Sequence, residues 1–317
     1  MKIIRAANEL GNGSRKVCLA IGVFDGVHLG HQQIIRQTIA DARQHDALAV
    51  VLTFDRHPNS IVAPERVPPL IYSPPQKIRV IESLGADALL LIPFDKKFSE
   101  RTGEVFIRSL AGELGKIHSV CVGANFVFGH KRSGDVALLK KLGGEIGFNV
   151  HGLAAVSLDG RTVSSTRIRD MIRAGNLDEA SQMLGRPYSI AGRVVEGDKL
   201  GRKLGFPTAN LDAAGLVLPP NGVYSGFTKL KGQCYRAALN IGFRPTVASA
   251  KTGLRVEAHL LDFSGRLYGA ELEVEISEKL RDERKFASPV ELRAQIARDI
   301  AAVRKQAGYS SHLTDFK

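Results

Sequence analysis

The chain has 317 residues, 44% hydrophobic and 24% charged, which is apolar material for two cores rather than one oversized one. The segment up to Lys16 has no secretory apolar stretch and no run of about 18 apolar residues occurs, so neither a signal peptide nor a membrane span is expected. A formal charge of +12 calls for anionic partners, which charge alone leaves open among nucleic acid, acidic lipid and phosphorylated small molecules; without a polybasic tail or a basic run interleaved with aromatics, nucleic acid weighs least.

In chain order, short apolar runs alternate with amphipathic ones. Val17–Ile21 reads as a strand, a helix follows His31, Ala47–Phe54 reads as a strand, Gln76–Leu84 as a helix, and Ala88–Ile92 as a strand. A helix across Glu104–Leu114 is followed by strand Ile117–Val122, a helix near Val136–Leu142 and a strand-like Phe148–Ala154. This rhythm predicts a parallel sheet with helices on both faces, whose chemistry belongs in the loops after Ile21, Phe54 and Val122. Around Gly185-Arg186-Pro187 the rhythm changes. Tyr188–Val195, Val223–Leu230, Ala237–Ile241, Arg255–Leu261 and Glu271–Leu280 are β-rich runs separated by Gly, Pro and Asn, the pattern of an antiparallel β domain. Ser288-Pro289 then opens a helical run, Val290–Val303, expected to pack across that domain. The expected division is residues 1–185 and 186–317. Cys18, Cys121 and Cys234 are a sparse, odd set, two of them inside apolar runs, which suits reduced thiols in a cytoplasmic protein.

The string Gly22-Val23-Phe24-Asp25-Gly26-Val27-His28-Leu29-Gly30-His31 lies directly after a strand and before a helix. Glycines let the backbone approach phosphates, and a helix N-terminus offers free N–H groups. His28 and His31, three apart, fall on one face and can donate to one polyphosphate. A histidine pair alone reads equally as turn residues or half a zinc site, but no Cys or carboxylate partners stand nearby in the sequence. The string resembles the first signature of the adenylyltransferase module of bacterial bifunctional riboflavin kinase/FAD synthetases, a branch of the HxGH nucleotidyltransferases. Three further segments resemble that family in order: Thr53-Phe54-Asp55-Arg56-His57-Pro58, with Arg56 where the family usually has proline; Val122-Gly123-Ala124-Asn125-Phe126-Val127-Phe128-Gly129; and Ser164-Ser165-Thr166-Arg167-Ile168-Arg169. The last, by itself, reads as a helix N-cap with a solvated Arg face.

The resemblance implies a Rossmann-like N-terminal domain in which an FMN phosphate oxygen attacks the α-phosphorus of ATP, giving FAD and pyrophosphate. An anionic nucleophile needs alignment and charge stabilisation rather than an enzymic base. On this reading ATP is held by Gly22, Phe24, Asp25, Gly26, His28, Gly30, His31, Ser164, Ser165, Thr166 and Arg169, with His28 and His31 catalytic. Flavin is held by Asp55, His57, Pro58, Asn125, Phe126 and Phe128.

The second informative string runs from Gly192 through Gly197-Asp198-Lys199-Leu200-Gly201-Arg202-Lys203-Leu204-Gly205-Phe206-Pro207-Thr208-Ala209-Asn210. Its glycines and cations suit a phosphate cradle, and Thr208 and Asn210 offer oxygens to a hard cation such as Mg²⁺, although by composition alone it is a flexible basic hairpin. It is neither a Walker A loop nor a protein-kinase signature. The string resembles the riboflavin kinase module of the same family. So do Gly222-Val223-Tyr224, Asn240-Ile241-Gly242-Phe243-Arg244-Pro245-Thr246, Glu257–Phe263, Leu267-Tyr268-Gly269 and the segment from Leu280-Arg281 to Lys285-Phe286.

That resemblance implies a C-terminal antiparallel barrel with a terminal helix that phosphorylates riboflavin to FMN. Glu257 would be its base, Gly197, Lys203, Gly205, Phe206, Pro207, Thr208 and Asn210 its ATP site, Thr208 and Asn210 its Mg²⁺ ligands, and Arg281 a flavin contact. The expected partners are riboflavin, FMN, FAD and ATP, with no nucleic acid or membrane, and a monomer or weak homo-oligomer. The rival readings are a nucleotidyltransferase for another phosphorylated acceptor and a flavin- or nucleic-acid-binding protein without turnover.

Overall fold

In the computed structural model, which describes residues 1–10, 15–243 and 254–306, the apolar runs of the N-terminal half lie side by side as parallel strands. They are β1 (Lys2–Ile4), β2 (Lys16–Ile21), β3 (Ala47–Phe54), β4 (Ala88–Ile92), β5 (Ile117–Gly123) and β6 (Asn149–Leu153), ordered β1-β4-β3-β2-β5-β6 across the sheet. The connections carry α1 (Leu29–Gln44), α2 (Asn59–Val62), α3 (Pro74–Ser83), α4 (Lys96–Ser99), α5 (Gly103–Leu114) and α6 (Val136–Ile146).

Alternate residues of one strand enter different cores, which is why these runs are apolar throughout. Val17, Leu19 and Ile21 pack with α5 and α6 residues such as Phe106, Leu110 and Leu139, whereas Cys18 and Ala20 pack with Ile35 and Ile39 of α1 and Ile81 of α3. After β2 the chain turns to β3 on one side, and after β5 it turns to β6 on the other. The C-terminal ends of β2 and β5 therefore flank a topological switch point, where open sheets of this kind bind ligands.

Several sequence-based boundaries move. Helix α1 starts at Leu29, so His31 sits within its first turn rather than before it. Helix α6 runs past the expected stop at Leu142 through Gly143 and Gly144. Gly143 serves close packing there, because a Cβ on it would lie 2.5 Å from the Phe148 carbonyl oxygen, and the helix ends at Gly147 with φ of 97°. The edge strand β1, only Lys2–Ile4, was too short to read.

A small hairpin, β7 (Ser157–Leu158) with β8 (Arg161–Thr162), precedes helices α7 (Ser165–Ala174) and α8 (Leu177–Leu184). The remaining chain forms a closed antiparallel barrel of β9 (Ser189–Val195), β10 (Ala209–Leu211), β11 (Gly222–Leu230), β12 (Gln233–Phe243), β13 (Leu254–Leu260) and β14 (Glu271–Arg281), in the order β10-β13-β12-β11-β14-β9. The short helix α9 (Leu200–Lys203) lies between β9 and β10. Strand β12 begins four residues before the expected Ala237, since its polar arm Gln233–Arg236 is paired with β11 to the hairpin end at Leu230. Strand β10 closes the barrel by pairing with both β9 and β13. Helix α10 (Pro289–Lys305) is capped by Ser288 and packs on β12 and β11, as the Ser-Pro signal implied.

By internal contacts the chain divides into residues 1–69 with 74–165, and 70–73 with 166–317. Among the described residues no helix is long and apolar enough to cross a membrane.

The helix that carries the histidine motif is tied to the sheet by one buried carboxylate. Asp41 of α1 accepts from Ser119 Oγ at 2.9 Å and Gln37 Nε2 at 2.7 Å, and its Oδ2 lies 3.2 Å from His151 Nε2. Burial pushes the neighbouring Cys121 thiol up to about 12, so it stays protonated and inert beside that carboxylate. Asp41→Ala strands the Ser119 hydroxyl in the core and is expected to cost about 2–3 kcal/mol. Urea denaturation should show a lower midpoint at unchanged slope.

Candidate active sites

At the switch point, the turn after β2 is built under backbone strain. Phe24 has φ of 52° and Val27 φ of 40°, left-handed conformations rare for bulky or β-branched residues, with Gly26 between them at 77°. Phe24 is fully buried, its ring edge-on to His31 at 5.3 Å, and a Cβ on Gly22 would meet that ring at 2.9 Å. His28 caps α1: its Nδ1 accepts from the His31 amide at 3.4 Å, which leaves Nε2 as the protonated, donating nitrogen of the neutral ring. The rings of His28 and His31 stack with centroids 3.6 Å apart, and a Cβ on Gly30 would press on the His28 ring at 3.3 Å. Both imidazoles thus sit at the N-terminal end of a 16-residue helix, where the macrodipole favours anions.

The carbonyls of this turn are held by side chains from other elements. Val23 O accepts from Thr53 Oγ1 at 3.0 Å, Asp25 O from Ser165 Oγ at 3.0 Å, and Val27 O from Gln32 Nε2 at 2.9 Å. Of the Ser164–Arg169 stretch, Ser164 and Ser165 are half-buried, Thr166 is exposed and Arg169 is buried on α7. The division between the two compact units falls between Ser165 and Thr166.

Past β3, Asp55 accepts from the Phe94 amide at 2.9 Å and from Arg56 Nε and Nη2 at 3.2 and 3.1 Å. Partial burial works against the charged carboxyl, but the Arg56 guanidinium and the Phe94 amide outweigh it and hold Asp55 below the usual carboxylate range. Arg56, at the position where the family usually has proline, is thus a partner of the acidic residue. His57 Nδ1 accepts from the Asn59 amide, and Pro58 opens α2.

Past β5, Asn125 is exposed and Phe126 stacks on Phe128 at 5.1 Å. Aromatic edges run from Phe128 through Phe106, Phe98 and Phe94 to Phe54, linking this loop to the one after β3. This chain of rings was not read from the sequence, because its members are scattered over five segments. The loop returns on Gly129, whose Cβ would lie 2.3 Å from the Gly103 amide nitrogen at a φ of 76°.

In the barrel the residues of interest share one register row. Asn210 of β10 pairs with Glu257 of β13, Glu257 with Asn240 of β12, Asn240 with Val223 of β11, and Val223 with Arg281 of β14. Val256 and Ala258, either side of Glu257, are buried in the barrel interior, so by the two-residue period the row faces outward. All five line a cavity of about 370 Å³, whose other walls include α10 residues Leu292 and Ile296 and, between β14 and α10, Glu283 and Phe286.

Thr208 Oγ1 donates to Glu257 Oε2 at 3.2 Å. Thr208 and Lys199 also line a second cavity of about 620 Å³, with Arg202, Pro207, Phe263 and Tyr268. The loop before β10 folds closely: a Cβ on Gly197 would fall 2.3 Å from Asn210 Nδ2, and one on Gly201 2.4 Å from Phe206 O. Gly205 takes φ of 91°, Phe206 meets His259 edge-on, and Lys203 is exposed on α9. Arg281 lines the first cavity, but its guanidinium is committed: it donates to Asp299 of α10 at 2.8–3.1 Å and to Asp282 O at 3.0 Å. Asp299 was missed because a lone acid within a helix gives no signal. Of the Asn240–Thr246 string, Arg244, Pro245 and Thr246 lie outside the described residues.

A family model described as FAD synthetase matches residues 12–167, and one described as riboflavin kinase matches residues 184–307. The bifunctional riboflavin kinase/FMN adenylyltransferase of Escherichia coli (strain K12) is 38% identical over 312 residues, covering 96% of this chain and 97% of its own. The chain belongs to this bifunctional family. The family's protein from Pseudomonas fluorescens is 37% identical, covering 98% of this chain and 100% of its own. A crystal structure described as a macrolide-efflux protein from Streptococcus pneumoniae has the same fold, with a TM-score of 0.79 at 30% identity over 96% of this chain and 99% of that one.

Two positive-φ glycines, Gly147 at the end of α6 and Gly129 in the loop after β5, separate strain from crowding. Gly147→Ala, at φ of 97° with open space around it, should cost about 1 kcal/mol. Gly129→Ala, which also drives a methyl into the α5 backbone, should cost about 3 kcal/mol or more. Thermal unfolding of the two variants checks the order.

Proposed function

We propose that this chain makes both flavin cofactors: the barrel unit transfers the γ-phosphoryl of ATP to the ribityl hydroxyl of riboflavin, giving FMN and ADP, and the parallel-sheet unit transfers the adenylyl group of ATP to FMN, giving FAD and pyrophosphate. The observation that carries it is the register row of Asn210, Glu257, Asn240 and Arg281 on one cavity, with Thr208 shared by the cavity beside it.

In the barrel, riboflavin occupies the smaller cavity and ATP the larger, so that Thr208 marks the plane of transfer. The Glu257 carboxylate, oriented by the Thr208 hydroxyl, takes the proton of the attacking hydroxyl, and positioning supplies most of the acceleration. Thr208 and Asn210, brought together with Glu257 by the close fold of the glycine loop, form an all-oxygen donor set that fits Mg²⁺. When bound, that ion neutralises charge on the transferring phosphates. Of the residues read as the ATP site, Pro207 lines the larger cavity and Phe206 the smaller one beside it, and Gly197, Lys203 and Gly205 belong to the glycine loop that leads to both. Arg281 acts on the flavin side as the anchor of the cavity wall, since Asp299 holds its guanidinium.

In the parallel-sheet unit the FMN phosphate is already anionic and attacks the α-phosphorus without a base. The His28 Nε2 proton and the His31 ring, with the α1 amides, stabilise charge on the polyphosphate, and pyrophosphate leaves. Gly22, Phe24, Asp25, Gly26 and Gly30 shape the turn that admits it, and Ser164 and Ser165 extend the nucleotide site. Asp55, His57, Pro58, Asn125, Phe126 and Phe128 receive the flavin. The catalytic modules divide at 185/186, where the barrel's first strand is about to begin, and the protein works in the cytoplasm as a monomer or weak homo-oligomer on small molecules, not nucleic acid.

Glu257→Ala should abolish FMN formation from riboflavin and spare FAD formation from supplied FMN, and His28→Ala should do the reverse, each by at least about 100-fold. Chromatography of flavins and nucleotides from full-length protein reads both reactions in one sample. A single change that removed both activities from a folded protein would sink the two-site reading.

A further inference from the structure

Lys77 is a cation outside every motif described above. It stands on the first turn of α3, and its ammonium reaches the C-terminal ends of β2 and β3, donating to Val23 O at 3.3 Å, Thr53 Oγ1 at 3.2 Å and Phe54 O at 3.2 Å. An ammonium has three N–H groups and no acceptor, and three oxygens surround it; Thr53 has already given its own proton to Val23 O. A neutral amine would satisfy only two of these oxygens and turn its lone pair on the third. Only the charged form, with three N–H donors, satisfies all three oxygens at once.

The two segments it joins are those that carry the motifs. Val23 is the residue before Phe24, where the left-handed backbone of the histidine turn begins, and Phe54 precedes Asp55. Conformations of that kind persist only where surrounding contacts over-determine them. Helix α3 packs directly on the Asp25–Val27 turn. We propose that Lys77 is a positioning residue for adenylyl transfer, fastening the ends of β2 and β3 so that the strained turn keeps His28 and His31 aimed at the polyphosphate. The proposal rests on the adenylyltransferase reading above.

A consequence in pH follows. Burial pushes the Lys77 ammonium down to about 8, against the opposing pull of Asp25 from the turn and Asp55 from the β3 loop. Asp55 in turn is paired with Arg56 and faces Arg5, and His28 and His31 are the other titratable groups on the turn. With its folded value depressed, Lys77 is charged and clamping below about 8 and loses the clamp as pH rises through it.

The test uses full-length protein, with riboflavin phosphorylation as the internal control because Lys77 belongs to the other compact unit. FAD formation from FMN and ATP is followed across roughly pH 6.5–9.5, a range that spans the titration. In wild type kcat should fall above about 8. Lys77→Met should lower kcat for FAD formation by about 10- to 100-fold with smaller changes in KM, lack the alkaline fall, and leave the kinase intact. Thr53→Val, which removes one acceptor from the ammonium, should move the alkaline fall to lower pH by roughly half a unit to one.

Unimpaired FAD formation in Lys77→Met, or the same alkaline fall as wild type, overturns the proposal. If Lys77→Met does not fold, an unmoved profile in Thr53→Val overturns it instead. If wild type makes no FAD from FMN at any pH, the adenylyltransferase reading itself fails, and Lys77 with it.

Discussion

The parallel-sheet unit is organised around a turn that its own residues would not choose. Phe24 and Val27 adopt left-handed backbone angles that cost on the order of 1–3 kcal/mol each. The neighbouring elements hold them there through main-chain oxygens: β3 through Thr53, α3 through Lys77, α1 through Gln32, and the start of α7 through Ser165. Spending fold stability on a bent peptide makes sense only if the bend has a use. Here it sets two stacked imidazoles on the positive end of a helix, inside the notch where the sheet's connections diverge.

The barrel achieves its alignment by opposite means, without comparable strain across its row of residues. Closure fixes strand register, and register puts Asn210, Glu257 and Asn240 on adjacent strands at one level, so polar groups distant in sequence meet on one wall. Helix α10 is then fastened over that wall by the Arg281–Asp299 pair. Both side chains are largely shielded from water, so breaking the pair from one side would leave an uncompensated charge.

What the sequence revealed follows from how each feature is encoded. The doubly covered sheet was legible because strands buried on both faces are written as unbroken apolar runs, such as Ala47 to Leu52 within β3. The C-terminal helix was legible through Ser288-Pro289, a cap and an N1 proline. Strand β10 was not, since Ala209-Asn210-Leu211 is three residues long and follows Pro207-Thr208; only its two neighbours make it a strand. Glu257 could be singled out over Glu273 and Glu275 only by resemblance to a family, because all three occupy ordinary strand positions and the Thr208 contact is tertiary. Lys77 was invisible for a similar reason: a lysine on a helical face is usually solvated, and burial of this one depends on where two distant strands end.

The shared wall at Thr208 has a kinetic meaning. The two cavities share Thr208 and Lys199 but are otherwise lined by different residues, the smaller opening beside Glu283, Phe286 and α10, the larger beside Phe263 and Tyr268. On the proposed reading, flavin and nucleotide enter through separate doors and meet only at the hydroxyl between them. Neither needs the other to have arrived first, and ADP can depart without FMN having to move out of its way.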